Sequence, residues 1–368
     1  MGVETPERKQ KVCLVTISLA GGGAERSTAV LSQMLNSKGY HVTTAVVVNA
    51  VDYEYSGSLY AIGSGKKSFG FISSFMRLRR FRSFLKREQF DLIIDNRSRP
   101  ESFKERIYSG YLYKGFKLLY VVRSFRLATY FPASKPLAHK MIDRALGVVG
   151  VSKAIAKAVK EQYNTEKVYQ VYNPVPLASI QAQAGTKMMA GDYIMAMGRL
   201  YDDVKNYSLL LEAYAASKLP ANKIQLFLMG DGPDKAKLQD KAHALELDKM
   251  VQFLPFNPNP YPFLQGAKCS VLTSHYEGFP RAVIESLAVG TPVVSVDCQS
   301  GPAEIIQPGE NGLLVPNYNV AALAEALNNI IFDQELLAKC RQNAKTSVAH
   351  LDVDVIADHW DKLIQELL

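Results

Sequence analysis

The chain repeats one pattern twice: a short apolar run, a glycine turn, and a segment with helical spacing of apolar residues. In the first half, Val12–Ile17 is followed by Gly21–Gly23 and by a helix predicted for Ala24–Lys38. Strands that alternate with helices form parallel sheets with helices on both faces. Asn173-Pro174-Val175-Pro176 interrupts the pattern, which restarts at Tyr193. The sequence therefore predicts an α/β fold with two Rossmann-like, doubly wound domains facing a cleft.

This pattern predicts three segments. Residues 1–175 form an N-terminal Rossmann-like domain, residues 176–350 a C-terminal Rossmann-like domain, and residues 351–368 a helix that crosses back to the first domain. The elements that define the two domains are predicted strands at His41–Val48, Asp91–Asp95, Lys117–Val122, Tyr193–Met197, Ile224–Met229, Val271–Ser274 and Pro292–Val296, and predicted helices at 71–88, 208–217 and 355–368.

Composition and charge narrow the class of protein. The chain has 368 residues, of which 48% are hydrophobic, enough for two cores. The net charge of +8 divides unequally, because residues 1–175 carry +15 and residues 176–368 carry −7. The N-terminus lacks a secretory signal and no apolar run is long enough to span a bilayer, so a cytoplasmic location is expected. The scattered cysteines Cys13, Cys269, Cys298 and Cys340 are expected to be buried and reduced.

The most informative motif extends from Ser274 to Gly290. A strand ends, a Glu277-Gly278-Phe279-Pro280 loop follows, and a helix begins near Pro280. Free N–H groups at a helix start favour an anion such as a diphosphate, and Gly278 allows close approach of a ligand. Glu277 and Glu285 are then placed to hold hydroxyl groups of one sugar nucleotide. The alternative is a capped surface helix with two solvated glutamates.

Glu277 to Glu285, with Gly290-Thr291-Pro292-Val293-Val294, resembles the signature of the retaining glycosyltransferases of family 4, which have the GT-B architecture. Gly198-Arg199-Leu200 followed by Lys205-Asn206 is a second match. The resemblance implies that residues 1–175 form the acceptor-binding domain and residues 176–350 the nucleotide-sugar-binding domain. It also implies that Arg199 and Lys205 grip the donor diphosphate. Two fixed cations stabilise the charge that develops on the leaving phosphate, so no metal is expected.

A third match is Gly21-Gly22-Gly23-Ala24-Glu25-Arg26, which is similar to the members of that family that extend lipid-linked bacterial glycans. The dinucleotide pattern G-x-G-x-x-G fails because position 26 is Arg, which argues against an NAD enzyme. The resemblance places the glycine loop beside donor phosphates and acceptor. A donor role and a simple tight turn remain equally open for Gly230-Asp231-Gly232-Pro233. The donor-binding residues implied are Gly22, Gly23, Gly198, Gly230, Leu254, Gly278, Phe279, Pro280, Arg281 and Glu285.

One position departs from the family pattern. Many relatives have a His after the strand near residue 120, where this chain has Arg123. We expect Arg123 to contact a phosphate or an acidic acceptor group, so the identity of the transferred sugar stays open. None of the histidines has metal-ligand spacing.

A basic segment lies on the acceptor side. No acidic residue occurs between Glu54 and Glu88, and eight basic residues do. Phe71, Phe75, Leu78, Phe81 and Leu85 recur at helical spacing, which suits an anionic membrane surface or a lipid diphosphate. Arg77, Arg80 and Arg123 are the predicted acceptor or membrane contacts, and Arg97, Arg99, Lys104, Arg106 and Arg126 are expected to extend the positive surface. The alternatives are an ordinary core-packed helix, or nucleic acid, for which no motif is present.

The sequence thus predicts a retaining, metal-independent glycosyltransferase with Glu277, Arg199 and Lys205 as catalytic residues. It would move a hexose or N-acetylhexosamine from a UDP-sugar to a hydroxyl of a polyprenyl-diphosphate-linked glycan, in bacterial surface polysaccharide or glycoprotein glycan synthesis. No cofactor beyond the nucleotide sugar is expected, and the protein would bind peripherally at the cytoplasmic face of the inner membrane. The alternatives are a nucleotide-sugar epimerase of the same architecture, a non-catalytic partner of another transferase, and a glycosidase, which needs no phosphate grip.

Overall fold

The computed structural model describes residues 9–63, 71–185, 189 and 191–368. The chain divides into two compact units. Unit 1 contains the residues up to Pro174 together with Val353–Leu368, and unit 2 contains Val175–Asp352. The chain passes from unit 1 to unit 2 within the proline-containing segment at residues 173–176.

Unit 1 is built on a seven-stranded parallel sheet with the strand order β3-β2-β1-β4-β5-β6-β7. Its strands are β1 (Lys11–Thr16), β2 (His41–Val46), β3 (Ser58–Ala61), β4 (Leu92–Asp95), β5 (Leu118–Val122), β6 (Gly147–Gly150) and β7 (Val168–Gln170). Every residue of β4, β5 and β6 is buried, as expected for central strands with helices on both faces.

Helices connect these strands, because parallel neighbours require crossover connections. They are α1 (Gly23–Ser37), α2 (Phe71–Glu88), α3 (Ser102–Ile107), α4 (Lys135–Arg144) and α5 (Lys153–Tyr163). A π-helical segment, Tyr108–Leu112, continues α3, and a 3₁₀ turn spans Leu127–Thr129. Local sequence sets the ends of α5: the Ser152 hydroxyl accepts a hydrogen bond from Ile155 N, and Asn164 closes the helix in the left-handed conformation.

Unit 2 contains a six-stranded parallel sheet with the order β10-β9-β8-β11-β12-β13. Its strands are β8 (Tyr193–Met197), β9 (Gln225–Met229), β10 (Val251–Leu254), β11 (Ser270–Leu272), β12 (Val293–Asp297) and β13 (Gly312–Pro316). Its helices are α6 (Leu177–Ala184), α7 (Asp202–Lys205), α8 (Tyr207–Ala216), α9 (Lys235–Ala244), α10 (Tyr261–Gly266), α11 (Arg281–Ala288), α12 (Pro302–Ile305), α13 (Val320–Phe332) and α14 (Gln334–Ser347), followed by a 3₁₀ turn at Ala349–Leu351.

The last helix, α15 (Val353–Leu367), belongs to unit 1. Its apolar stripe, which includes Trp360 and Ile364, is buried. The Tyr40 hydroxyl donates a 2.6 Å hydrogen bond to Asp361 Oδ1, which fixes the helix beside the chain that follows α1. An amphipathic helix with this spacing needs an apolar surface to cover, and unit 1 supplies it.

The predicted α/β class is confirmed by the two parallel sheets. Strand β8 and helix α2 begin and end at the predicted residues. The four cysteines are free and buried, as expected. Within the described ranges no helix combines the length and the apolar character that a bilayer span requires. Several strands were not predicted, because they are short or only partly apolar: β3, β6, β7, β10 and β13.

Candidate functional site

The motifs of unit 2 meet at one edge of its sheet. Strand β8 lies between β9 and β11, and all three are parallel, so their carboxyl ends share an edge. Gly198 follows β8, Gly230 follows β9, and the Ser274–Glu277 segment follows β11 closely. Ligands of open α/β sheets bind at this edge, which makes it the candidate site.

An ion pair joins two of the predicted catalytic residues. Lys205 Nζ lies 2.6 Å from Glu277 Oε1, and both side chains are largely buried. Ser274, the first residue of the predicted motif and one to which no role was assigned, donates a 2.6 Å hydrogen bond from Oγ to the same oxygen. No partner of Glu277 Oε2 is found among the described residues. The carboxylate is therefore held at one oxygen and available at the other.

The backbone holds Lys205 in this position. Short helix α7 ends there, because Asn206 adopts the left-handed conformation with φ of 50°. The chain of α7 is joined to the segment after β11 by two hydrogen bonds: Thr273 Oγ1 donates to Lys205 O (3.0 Å), and His275 N donates to Val204 O (2.9 Å). These bonds bring residues some seventy positions apart into register, which explains how two separate motifs form one site.

Gly198 is required by both conformation and space. Its φ of +148° is one that residues with a side chain rarely adopt. A Cβ at this position would lie 3.1 Å from the Tyr207 hydroxyl and 3.5 Å from Lys205 Cε. The Tyr207 hydroxyl is buried and makes no hydrogen bond within the described part of the chain. Burial, followed by the negative charge of Glu277, raises the pKa of Tyr207, so it stays a neutral donor beside the ion pair.

Helix α11 starts at Arg281, and Pro280 is its N-cap. The backbone N–H groups of Arg281 and Ala282 make no hydrogen bond to the described residues. Arg281 Nη2 donates to Glu285 Oε1 at 3.0 Å, while Arg281 Nη1 is buried without a partner in the described chain. The helix start thus presents unpaired donors and the positive end of the helix dipole.

The loop before α11 is braced from behind. Glu277 exchanges backbone hydrogen bonds with Gln299 and Ser300, and Ser300 Oγ donates to Gly278 O at 3.0 Å. The Phe279 side chain is part of the core, with 6% exposure. Any contact from Phe279 to a ligand would therefore come from its backbone.

Three other residues predicted to bind the sugar donor, Arg199, Gly230 and Leu254, also follow or end strands at this edge, but their structural environments differ. The Arg199 side chain is exposed and has no partner among the described residues. A Cβ on Gly230 would lie 1.9 Å from Gly198 O, and Gly230 N donates to Leu254 O at 3.0 Å. Gly230 and Leu254 therefore support the glycine at the site through their backbones. Their contacts with donor stay a prediction.

In unit 1, the glycine loop begins α1. Gly21 has φ of +84°, and Gly22 is the N-cap. A Cβ on Gly22 would lie 2.3 Å from Glu25 Oε2, so the glycine leaves room for that carboxylate at the helix start. A Cβ on Gly23 would meet nothing within 4 Å. The predicted roles of Gly22 and Gly23 toward donor stay predictions.

The expectation that Arg97 and Arg99 extend a positive surface is wrong. Both are buried, with exposures of 5% and 0%. Arg97 Nη2 lies 2.8 Å from Asp95 Oδ2, and Arg97 Nη1 lies 3.3 Å from Glu105 Oε1. The Arg99 guanidinium lies 3.6 Å from Asp95 and donates to backbone carbonyls, including Val121 O at 3.1 Å. These arginines are neutralised inside unit 1 and order the loops after its strands.

The basic helix α2 is only partly a surface helix. Phe81 and Leu85 are fully buried, so their assignment to a membrane-facing stripe is wrong, since they pack in the core. Phe75 and Met76 are exposed by 54% and 53%. The predicted contact Arg77 is partly buried, whereas Arg80 is exposed beside Arg79. Lys66 and Lys67 lie outside the described residues, as does the side chain of Phe71.

Arg123, the residue at the family's His position, follows β5 and is partly buried. Its guanidinium donates to two amide oxygens, Asn96 Oδ1 at 2.8 Å and Asn173 Oδ1. Burial lowers the pKa of Arg123 to about 10. Neither asparagine was singled out from the sequence, because only the order of the parallel strands brings them to Arg123.

In the described ranges no group of three or more His, Cys, Asp and Glu side chains could hold a metal ion, and metal-independent transfer stays a prediction. In unit 2, Arg199 and Lys205 belong to the segment after β8, and Arg281 begins α11 after the Glu277 loop, whose carboxylate pairs with Lys205. The backbone N–H groups at the start of α11 have no partner among the described residues. This combination suits a phosphate-containing ligand that also carries hydroxyl groups.

Comparisons with known proteins are consistent with a ligand that contains phosphate and sugar hydroxyl groups. A family profile described as "Glycosyl transferases group 1" matches residues 181–347. An exopolysaccharide phosphotransferase of Streptomyces coelicolor is 32% identical over 49% of this chain and 19% of its own length. The N-acetylgalactosamine-N,N'-diacetylbacillosaminyl-diphospho-undecaprenol 4-alpha-N-acetylgalactosaminyltransferase of Campylobacter jejuni is 27% identical over 95% of this chain and 97% of its own length.

Among solved structures, Anabaena HepE in complex with UDP superposes with a TM-score of 0.75 at 18% identity, covering 97% of this chain and 100% of that one. This likeness extends to both units and shows the GT-B fold. The proteins named here are transferases or glycosyltransferase-fold proteins, and they give no support to the epimerase alternative. The profile match covers the part of the chain that holds the Lys205–Glu277 ion pair, and residues 181–347 are therefore similar to the glycosyltransferases of group 1.

Proposed function

We propose that the protein transfers a hexose or N-acetylhexosamine from a UDP-sugar to a hydroxyl of a glycan acceptor. The observation that carries this proposal is the 2.6 Å Lys205–Glu277 ion pair at the carboxyl edge of the unit 2 sheet, with the unpaired Tyr207 hydroxyl near Lys205. UDP is favoured because the solved structure of similar fold holds UDP.

In this proposal Lys205 and Arg199 bind the donor diphosphate, and the free N–H groups of Arg281 and Ala282 add to the binding. Charge grows on the departing phosphate as the glycosidic bond breaks, and fixed cations aimed at that charge lower the barrier. In this proposal the two cations provide the positive charge that a divalent metal ion would otherwise provide. Glu285 lies within the helix behind these groups and would hold the ribose.

Glu277 would orient hydroxyls of the donor sugar through Oε2. Its other oxygen accepts hydrogen bonds from Lys205 and Ser274, which hold the carboxylate in place and make that oxygen a poor nucleophile. We therefore favour attack by the acceptor hydroxyl on the face that the phosphate leaves, with that phosphate taking the proton. This route retains the configuration at the anomeric carbon.

The acceptor side of the proposal concerns unit 1. An acceptor carried on a polyprenyl diphosphate suits the exposed Phe75 and Met76 next to the exposed cations Arg79 and Arg80. A Campylobacter jejuni relative acts on a diphospho-undecaprenol-linked sugar, according to its name. We propose that this surface contacts an anionic membrane at its cytoplasmic face during synthesis of surface polysaccharide or glycoprotein glycan.

The decisive experiment incubates the protein with a panel of UDP-sugars and polyprenyl-diphosphate-linked glycans and follows labelled sugar into the glycan. The expected result is transfer from one UDP-sugar, with an unchanged anomeric configuration in the NMR spectrum of the product and no loss of rate in EDTA. Absence of UDP binding by calorimetry, together with absence of transfer across the panel, would refute the proposal. An inverted product would refute only the same-face route.

A further inference from the structure

Arg123, which is partly buried, differs in its partners from the buried arginines Arg97 and Arg99. Arg97 and Arg99 face carboxylates, whereas the hydrogen bonds of the Arg123 guanidinium go to the neutral amide oxygens of Asn96 and Asn173. No carboxylate of the described residues lies within ion-pair distance of Arg123. The structure thus holds a positive charge between two neutral acceptors.

This charge is incompletely satisfied. Arg123 Nε is buried and makes no hydrogen bond in the described part of the chain. Burial lowers the pKa of Arg123 to about 10, opposed by Tyr130 and Glu25, so the group still carries its charge at neutral pH. A desolvated cation is costly unless an anion accompanies it, and buried donors without partners are rare in folded proteins.

The position of this group is that of a ligand site. Asn96 follows β4, Arg123 follows β5, and Asn173 comes shortly after β7. These strands are parallel members of one sheet, so the three side chains converge at its carboxyl edge. Glu25, in the first turn of α1, is close enough to act on Arg123 electrostatically without forming an ion pair.

From this geometry we propose that Arg123, positioned by Asn96 and Asn173, binds an oxyanion of the substrate, either a carboxylate or a phosphate. A guanidinium presents a planar fork of N–H groups that matches both kinds of oxyanion. The proposal rests on the proposed function, because it assigns an acidic group to a substrate of that reaction. Two sources carry this chemistry: a uronic acid in the transferred sugar, and the diphosphate of the acceptor.

The test compares matched anionic and neutral probes. Calorimetry would measure binding of UDP-glucuronate against UDP-glucose for the donor source, and of farnesyl diphosphate against farnesol for the acceptor source. One probe pair corresponds to the substrate that supplies the oxyanion. In that pair, Arg123→Gln should lower the affinity for the anionic probe by about 10- to 100-fold and change the affinity for the neutral probe by no more than about twofold. Arg144→Gln, a change of an exposed arginine on α4, is the control and should alter no probe.

Two further variants separate binding from support of the fold. Arg123→Lys keeps the charge and should recover part of the lost affinity. Asn173→Asp keeps the shape and gives Arg123 a carboxylate of its own, so it should weaken the same anionic probe without loss of thermal stability.

Equal loss for an anionic probe and its neutral partner would show a purely structural role and overturn the proposal. The same holds if neither pair responds to Arg123→Gln, or if the unaltered protein binds neither anionic probe more tightly than its neutral partner. These failures leave sugar transfer intact. Loss of the proposed function itself would appear differently, as absence of UDP binding and of transfer in the unaltered protein.

Discussion

Lys205 Nζ and Ser274 Oγ each lie 2.6 Å from the same oxygen of Glu277, and this shared contact fixes the carboxylate at the edge of the unit 2 sheet. Ser274 belongs to the segment after β11, while Lys205 ends α7. The position of the carboxylate therefore depends on both segments, and its second oxygen has no partner among the described residues.

The first prediction is that Lys205 and Glu277 act as one unit. Glu277→Gln should lower kcat by about two orders of magnitude, and Lys205→Met by about two to three, because both change groups that act on the transition state. The double variant should lose much less than the product of the two losses, since the residues are in direct contact. Initial rates with saturating UDP-sugar and acceptor measure this.

Glu325→Gln, on the exposed face of α13, is the control for these substitutions and should keep the original rate. Independent, multiplicative losses would contradict the coupling, and an unchanged rate for folded Glu277→Gln would remove Glu277 from the catalytic set.

Gly230 gives a prediction about stability. Gly230→Ala should lower the free energy of unfolding by about 2 kcal/mol or more, because its Cβ would fall 1.9 Å from Gly198 O and its φ is +148°. Gly110→Ala is the control: the nearest atom to its Cβ lies at 4.0 Å, so little change is expected. Urea denaturation followed by circular dichroism measures both. Equal stability of the two variants would show that the strand ends at Gly198 and Gly230 are not closely packed.

The charge network of unit 1 predicts a pH dependence. Burial alone would raise the pKa of Asp95, but the positive charges of Arg97 and Arg99 outweigh it and hold the pKa below its usual range. An acid with a lowered folded-state pKa stabilises the fold above its unfolded pKa of about 3.9, and this contribution is lost as the pH falls through the folded value. Asp95→Asn should therefore lower the free energy of unfolding strongly at pH 7. The difference from the unaltered protein should become progressively smaller below about pH 4.

Asp240→Asn on the surface of α9 is the matched control for this experiment. Unfolding free energies from urea titrations between pH 7 and pH 3 would check the trend. A stability difference between Asp95→Asn and the unaltered protein that does not shrink toward pH 3 would show that the Asp95 charge is not what the fold uses.

Sequence reasoning succeeded where the pattern is local and repeated. The apolar run of β8 and the helical spacing of α2 define these elements at their observed bounds. The start of α11 at Arg281, directly after Pro280, was predicted from the local sequence, whereas the contacts of the preceding loop with Gln299 and Ser300 were not. Strand β10 escaped prediction because only its first residue is buried, which leaves no clear apolar pattern.

Long-range pairing was beyond that reasoning. Arg97 and Arg99 look like surface charges in a basic half, yet Asp95 and Glu105 neutralise them inside the fold. The short sequence distance of Arg97 and Arg99 from these two carboxylates was the signal that could have predicted the ion pairs. The convergence of Asn96 and Asn173 on Arg123 gave no such signal, because it depends on the order of three strands in the sheet.

The last prediction concerns the start of helix α2. With Phe81 and Leu85 in the core, the proposed membrane contact is limited to the exposed residues Phe75 and Met76 and the neighbouring basic side chains. Phe75→Ser with Met76→Ser should weaken binding to vesicles that contain anionic lipid by about tenfold, because two apolar side chains no longer enter the interface. Cosedimentation with vesicles measures this, and added salt should weaken binding of the unaltered protein because exposed charges are screened. Phe332→Ser changes an exposed side chain of unit 2 and serves as the control. If this control weakened vesicle binding as much as the double substitution does, or if binding did not depend on lipid charge, this surface would be excluded as the membrane contact.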